Sequence, residues 1–177
     1  MFRDGASQLH WLNAGAVCLN FNLRRTSRAV TQYYDEVLKP TGLKVTQFTI
    51  LIAIASQSAE HKAAAGGSGC SSPHRQTARP AGGSITDIAR LAMVDRTTLT
   101  RSLRILEDDR LIEVRKAQPG NKRRVIITTK GVKKMKEIYP YWFRAQRALV
   151  KELTPAKTRA LRRLLSDIKN SAEALHG

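Results

Sequence analysis

One stretch constrains the fold more than any other. Residues 84–131 read SITDIARLAMVDRTTLTRSLRILEDDRLIEVRKAQPGNKRRVIITTKG. Thr86 can cap a short helix over 87–92 that carries Ile88, Leu91 and Ala92. Met93-Val94 makes a turn. The Asp95 carboxylate can then accept from the free N–H of Thr97 or Thr98 and open a second helix over 96–109. In that helix Leu99, Leu103 and Leu106 recur at spacings of four and three, so one side is apolar. The leucines leave Thr97, Thr98, Thr100, Arg101 and Arg104 on the free side. Leu111 to Val114 reads as a strand, Gln118-Pro119-Gly120-Asn121 as a turn, and Arg124 to Thr128, rich in β-branched residues, as the return strand.

Two helices followed by a hairpin with a basic tip form a winged helix-turn-helix, and that layout makes DNA the first partner to consider. A helix lying in a major groove offers base edges the side chains near its N-terminus. Thr97, Thr98 and Arg101 stand there. Arg101 has the fork to read guanine, while threonines suit phosphates or thymine methyls. Arg96 and Arg104 flank the face and suit phosphates. The hairpin adds Arg115, Lys116, Lys122, Arg123 and Arg124, a composition that fits a narrow minor groove or its phosphates. Charge agrees: 31 Lys and Arg stand against 14 Asp and Glu, a net charge of +17. Residues 84–136 hold 14 basic and 6 acidic side chains, nearly half of the excess in under a third of the chain. An excess of this size favours polyanions, among them RNA and anionic membranes as well as DNA.

The 177 residues suffice for one compact domain, so 1–177 is read as a single unit. Residues 1–8 show no periodicity. From Leu9 the pattern turns helical, with Leu19, Leu23, Val30, Tyr34, Val37 and Leu38 on one side, and Lys39-Pro40 with Gly42 ends it. A second, nearly all-apolar helix is expected from Thr46, through Phe48, Ile50, Leu51, Ile52 and Ile54. Residues 58–83 then change character. They hold five glycines, four serines, two prolines and no Leu, Ile, Val, Phe, Tyr or Trp. Such a segment reads as a flexible insert within the domain. After the hairpin, Thr128 or Thr129 starts a long helix to about Val150, with Pro140 expected to kink or interrupt it. Thr154-Pro155 starts the last helix, which carries Leu161, Leu164, Leu165 and Ile168.

This order of elements, with LRRTSRAVTQYYDEVLKPTGL (23–43), VTQFTIL (45–51), ITDIARLAMVDRTTLTRSLRILEDDRLIE (85–113) and VIITTKG (125–131), resembles the MarR family of bacterial transcription regulators. The resemblance implies a mainly α fold with a small β wing, an α+β arrangement. In it 9–39 and 129–174 are dimerisation helices, and 46–131 is a winged lobe interrupted at 58–83. It implies a homodimeric repressor acting on a palindromic operator in double-stranded DNA, without a cofactor. The wing departs from the family, whose Asp-x-Arg element orients the groove-entering arginine. Here the tip reads PGNKRR, with no acid, and the choice among Lys122, Arg123 and Arg124 stays open.

A regulator of this kind answers a signal. A small aromatic effector would be lined by Trp11, Phe21, Arg25, Tyr34 and Phe48. Alternatively Cys18, near the dimer-forming end of the first helix, serves as a thiol sensor of organic peroxide, with Cys70 as its resolving partner. The simpler reading makes Cys18 a small core residue. His61, Cys70 and His74 lie among glycines and serines that provide no rigid metal geometry, so no metal is expected. Two distant cysteines are no disulfide framework, residues 14–18 (AGAVC) do not follow a signal peptide, and no apolar run reaches the ~20 residues of a membrane span. A cytoplasmic protein is expected. No nucleophile elbow, phosphate loop or HExxH motif is present, so an enzyme is not expected. A basic architectural nucleic-acid-binding protein is the remaining alternative.

Overall fold

The computed structural model describes residues 14–66, 82–117 and 122–175. Seven α-helices and three short strands are formed by them. The first helix does not run unbroken through this region. A single turn, α1 (Ala14–Val17), is separated from α2 (Leu19–Leu38) at Cys18, whose sulfur accepts the Phe21 N–H at 3.5 Å. The Asn22 amide donates to the carbonyls of Ala16 (3.1 Å) and Cys18 (3.0 Å), which stitches the break.

A 3₁₀ turn over Lys39–Thr41, containing the expected Pro40, leads into α3 (Val45–Gly66). Helix α3 starts one residue earlier than the Thr46 cap suggests, because its first N–H groups are satisfied from elsewhere. The Asp35 carboxylate on α2 accepts from Val45 at 2.7 Å, and the Gln47 side chain accepts from Lys44 at 2.8 Å. Helix α3 also runs on into the segment read as a flexible insert, so residues 58–66 are helical. Alanines at 59 and 63–65 favour helix, and composition alone underweighted them.

The strands β1 (Gly83–Ser84), β2 (Ile112–Ala117) and β3 (Lys122–Ile127) form an antiparallel sheet in the order β1-β3-β2. Strand β1 is not legible in sequence, being two residues long. The wing strands are longer than expected and include Arg115, Lys116, Lys122 and Arg123. Between β1 and β2 lie α4 (Ile85–Ala92) and α5 (Arg96–Asp108). The cap of α4 is Ser84, not Thr86. Helix α6 (Thr129–Leu153) passes through Pro140 uninterrupted, and α7 (Pro155–Ala174) begins at Thr154-Pro155 as read.

One core holds the lobe together. Leu38 of α2, Ile50, Leu51 and Ile54 of α3, Ile88 of α4, Leu99 and Leu106 of α5, Val125 of β3 and Ile138 of α6 are all fully buried. These are the positions the helical and β periodicities marked as apolar. By contrast α7 has no buried residue, and Leu161, Leu164 and Leu165 stand exposed on it.

Candidate nucleic-acid interface

The interface is built from two helices whose ends are chemically fixed. Ser84 caps α4: its Oγ accepts the Asp87 N–H at 3.1 Å and donates to Asp87 Oδ2 at 2.6 Å. Asp87 in turn holds Arg90 at 3.1 Å. Helix α4 closes through Met93 in the left-handed region (φ 51°), with the Val94 N–H reaching the Ala89 carbonyl at 3.2 Å. This is the Schellman pattern, here made without glycine. The turn then delivers Asp95. Its Oδ1 accepts the Thr98 N–H at 2.8 Å and its Oδ2 the Thr98 hydroxyl at 2.5 Å. The Thr98 hydroxyl and N–H hold the Asp95 carboxyl below the usual carboxylate range. The far end of α5 closes by the same device, with Arg110 at φ 59°, Arg110 N–H to Glu107 O at 2.8 Å and Leu111 N–H to Leu106 O at 2.9 Å.

Held at both ends, α5 buries Leu99, Ser102, Leu103 and Leu106 and exposes Arg96, Thr97, Thr100, Arg101 and Arg104. The three arginines have no hydrogen-bond or ion-pair partner among the described residues. An exposed cation with no internal partner is available for phosphate or a base edge. The threonines separate. Thr98 is engaged with Asp95, and Thr100 donates to the Arg96 carbonyl at 2.8 Å. Thr97 alone of the three keeps its hydroxyl free of partners among the described residues.

The wing sorts its charges too. Cross-strand partners on β2 and β3 are Val114 with Val125, Arg115 with Arg124, and Lys116 with Arg123. Side chains paired across a ladder share a face, and successive pairs alternate faces. Arg115 is bound to Glu113 Oε2 through Nε (2.9 Å) and Nη2 (2.6 Å). Arg124 is half-buried and donates to the Gly82 carbonyl at 2.7 Å. Lys116 and Arg123 are exposed and without partners among the described residues. Lys122 opens β3 opposite Ala117. The wing's tip, 118–121, lies outside the described residues. Lys116 was legible only as one wing cation among several. The signal that singles it out is the alternation Ile112, Val114, Lys116, which continues the buried face of β2 outward.

The effector residues occupy different settings. Phe48 is core, and its ring lies 6.3 Å from Trp142. Tyr34 is buried, and its hydroxyl donates to Gln146 Oε1 at 2.5 Å. Burial and the nearby Tyr33 push its phenol above the ordinary value. Phe21 and Arg25 are exposed on α2. Trp142, Tyr139 and Phe143 extend the aromatic row from Phe48 along α6. Cys18 is exposed at the start of α2. Trp11, Cys70 and His74 lie outside the described residues, as does the side chain of His61. Among the described residues no group of three or more His, Cys, Asp or Glu side chains could hold a metal, and no single helix is long and apolar enough to cross a membrane.

No protein-family model matches the sequence, and no curated protein is significantly similar to it. Solved structures are similar. The transcriptional regulator MosR of M. tuberculosis is 26% identical with a TM-score of 0.70, over 91% of this chain and 99% of that one. Its complex with DNA is 25% identical with a TM-score of 0.66, over 89% and 98%. A MarR-family transcriptional regulator from Rhodococcus sp. RHA1 is 17% identical with a TM-score of 0.63, over 92% and 96%. All three structures are of transcriptional regulators. Helix order, the three-stranded antiparallel sheet and this likeness over about nine-tenths of its length give the chain the α+β winged-helix fold of MarR-type regulators.

Proposed function

We propose that the chain is a sequence-specific DNA-binding transcription regulator. It acts as a homodimer that represses from a palindromic operator. The observation that carries this is the outward stripe of α5: Arg96, Thr97, Arg101 and Arg104 exposed and unpaired among the described residues, on a helix anchored by Asp95 and by the Leu111–Leu106 closure. The DNA-bound form of MosR, at 25% identity, supports the same reading. Exposed Leu161, Leu164 and Leu165 on α7, with exposed Val17, Leu19 and Phe21 near the start of the arm, supply an apolar surface for a second copy. No single helix among the described residues is long and apolar enough to cross a membrane, and a cytoplasmic setting follows from the partner.

A footprint on the promoter beside the gene tests the reading. One dimer protecting one two-fold site supports it, whereas coating proportional to DNA length would make the chain an architectural protein. Arg101→Ala is expected to relax base preference in gel-shift titrations. Equal loss on every sequence would remove its base-reading role.

The signal enters through the dimer arm, as a small aromatic ligand or as oxidation of Cys18. Support for the first is the aromatic row from Phe48 to Phe143. Support for the second is the exposure of Cys18 at a helix start. Repeating the footprint after peroxide and after phenolic acids separates them, and release by peroxide that survives Cys18→Ser removes the thiol.

A further inference from the structure

We propose that Lys116 and Arg123 are the pair through which the wing holds nucleic acid, and that Arg124 is a positioning residue that ties the wing to the strand preceding α4. The inference rests on the DNA-binding reading above and identifies the wing's part in it.

Besides Lys116 the two wing strands carry Arg115, Lys122, Arg123 and Arg124, and the side chain of Lys122 lies outside the described residues. Arg115 is neutralised, with two of its guanidinium nitrogens on one oxygen of Glu113. Arg124 sits in a row across the sheet, between Ser84 on β1 and Arg115 on β2. Its Nη1 holds the Gly82 carbonyl. That carbonyl is aimed by a backbone only glycine accepts. Gly82 has φ 125°, and a Cβ there would lie 2.7 Å from the Val125 carbonyl oxygen. An arginine that swung from this place toward DNA would leave a half-buried carbonyl without its donor, a cost that an exposed side chain does not incur.

Arg123 and Lys116 face the other way. They share the face of Val114 and Val125, and Val125 is fully buried. On that same face the Cβ direction of Gly83 meets Ile88 of α4 and Gln57 of α3. Where the core ends, the same face continues outward as this cross-strand pair. Its two cations therefore project from the helix side of the wing, the side on which the helix-turn-helix lies, and both are exposed. Two adjacent cations without partners among the described residues, set opposite each other on one strand ladder, make a phosphate clamp whose spacing is set by the strand register.

The test is binding of the full chain to a mixed-sequence duplex across a salt series, with thermal unfolding of each variant. Lys116→Ala and Arg123→Ala are each expected to lower the slope of log K against log salt by about one, because each removes one phosphate contact, with unchanged melting. Arg124→Ala is expected to melt earlier and to bind several-fold more weakly at every salt concentration while keeping the wild-type slope. Arg124→Lys, which can still reach the Gly82 carbonyl, should recover part of both losses. A slope lowered by about one in Arg124→Ala at unchanged melting overturns the assignment. So does a Lys116→Ala protein that binds like the wild type. If wild-type protein shows no salt-dependent binding at all, the DNA reading itself falls, a result separable from either.

Discussion

Asp95 accepts from both the N–H and the hydroxyl of Thr98, and this is why its carboxyl lies below the ordinary value of 3.8. A group whose pKa is lowered by folding stabilises the fold above its unfolded value. That contribution is lost as pH falls through the lower folded value. The denaturation midpoint of the protein should therefore decline on acidification below the usual carboxylate range. Asp95→Asn, which keeps a capping oxygen, should lose that part of the pH dependence. Asp95→Ala should lower the midpoint at neutral pH as well. Urea denaturation at several pH values reads all three. A second residue, Gly131, fixes the approach of α6 to the end of α5. A Cβ there would overlap the Leu111 carbonyl oxygen, which also accepts the Thr128 N–H at 3.0 Å. Gly131→Ala is expected to cost about 3 kcal/mol or more, seen as a shift in urea midpoint, because backbone rather than a pliable side chain must move. At this scale the site was readable where its chemistry is local: Asp95, three residues before Thr98, announces itself. The partner of Arg124 was not readable, since the carbonyl of Gly82 lies 42 positions away in the chain.

Elements met their expected places where one segment's own pattern governs them. Helix α5 needs only its leucines and its cap, and α7 only Thr154-Pro155. Helix α3 shows the opposite. Its start is set by Asp35, ten residues upstream on another helix, and its end extends into a segment whose composition reads as loop. Asp35→Ala is expected to lower stability by about 1–2 kcal/mol in chemical denaturation, with Asp35→Asn intermediate, since the Val45 N–H is left half-buried without its acceptor. Strand β1 exists only because β3 is beside it. Two residues carry no periodicity, and pairing with Arg124 and Val125 is what makes them a strand. Pro140 is a further case. Proline removes one hydrogen bond from a helix, but in α6 the flanking turns are packed through Ile138 and Ala145, and the helix continues.

On the scale of the molecule, the exposed leucines of α7 are hard to account for in an isolated chain, where nothing covers them. Leu164→Glu should turn a dimer into a monomer in sedimentation velocity, and should weaken operator binding far more than binding to non-specific duplex, because a two-fold site needs two lobes at fixed spacing. An unchanged sedimentation coefficient would refute α7 as the dimer seam. The strained junction at Thr154 (φ 62°, ψ 154°) sets the direction in which this helix leaves α6.

By itself the sequence determined the order of elements, the apolar side of each helix, the winged helix-turn-helix and its basic character. Each of these follows from periodicities and caps that act over a few neighbouring residues. Only the tertiary structure decided which cations of the wing are available and which are spent. That choice depends on strand register and on acceptors brought in from distant segments, and a register shift of one residue, invisible in composition, would have exchanged Arg123 with Arg124.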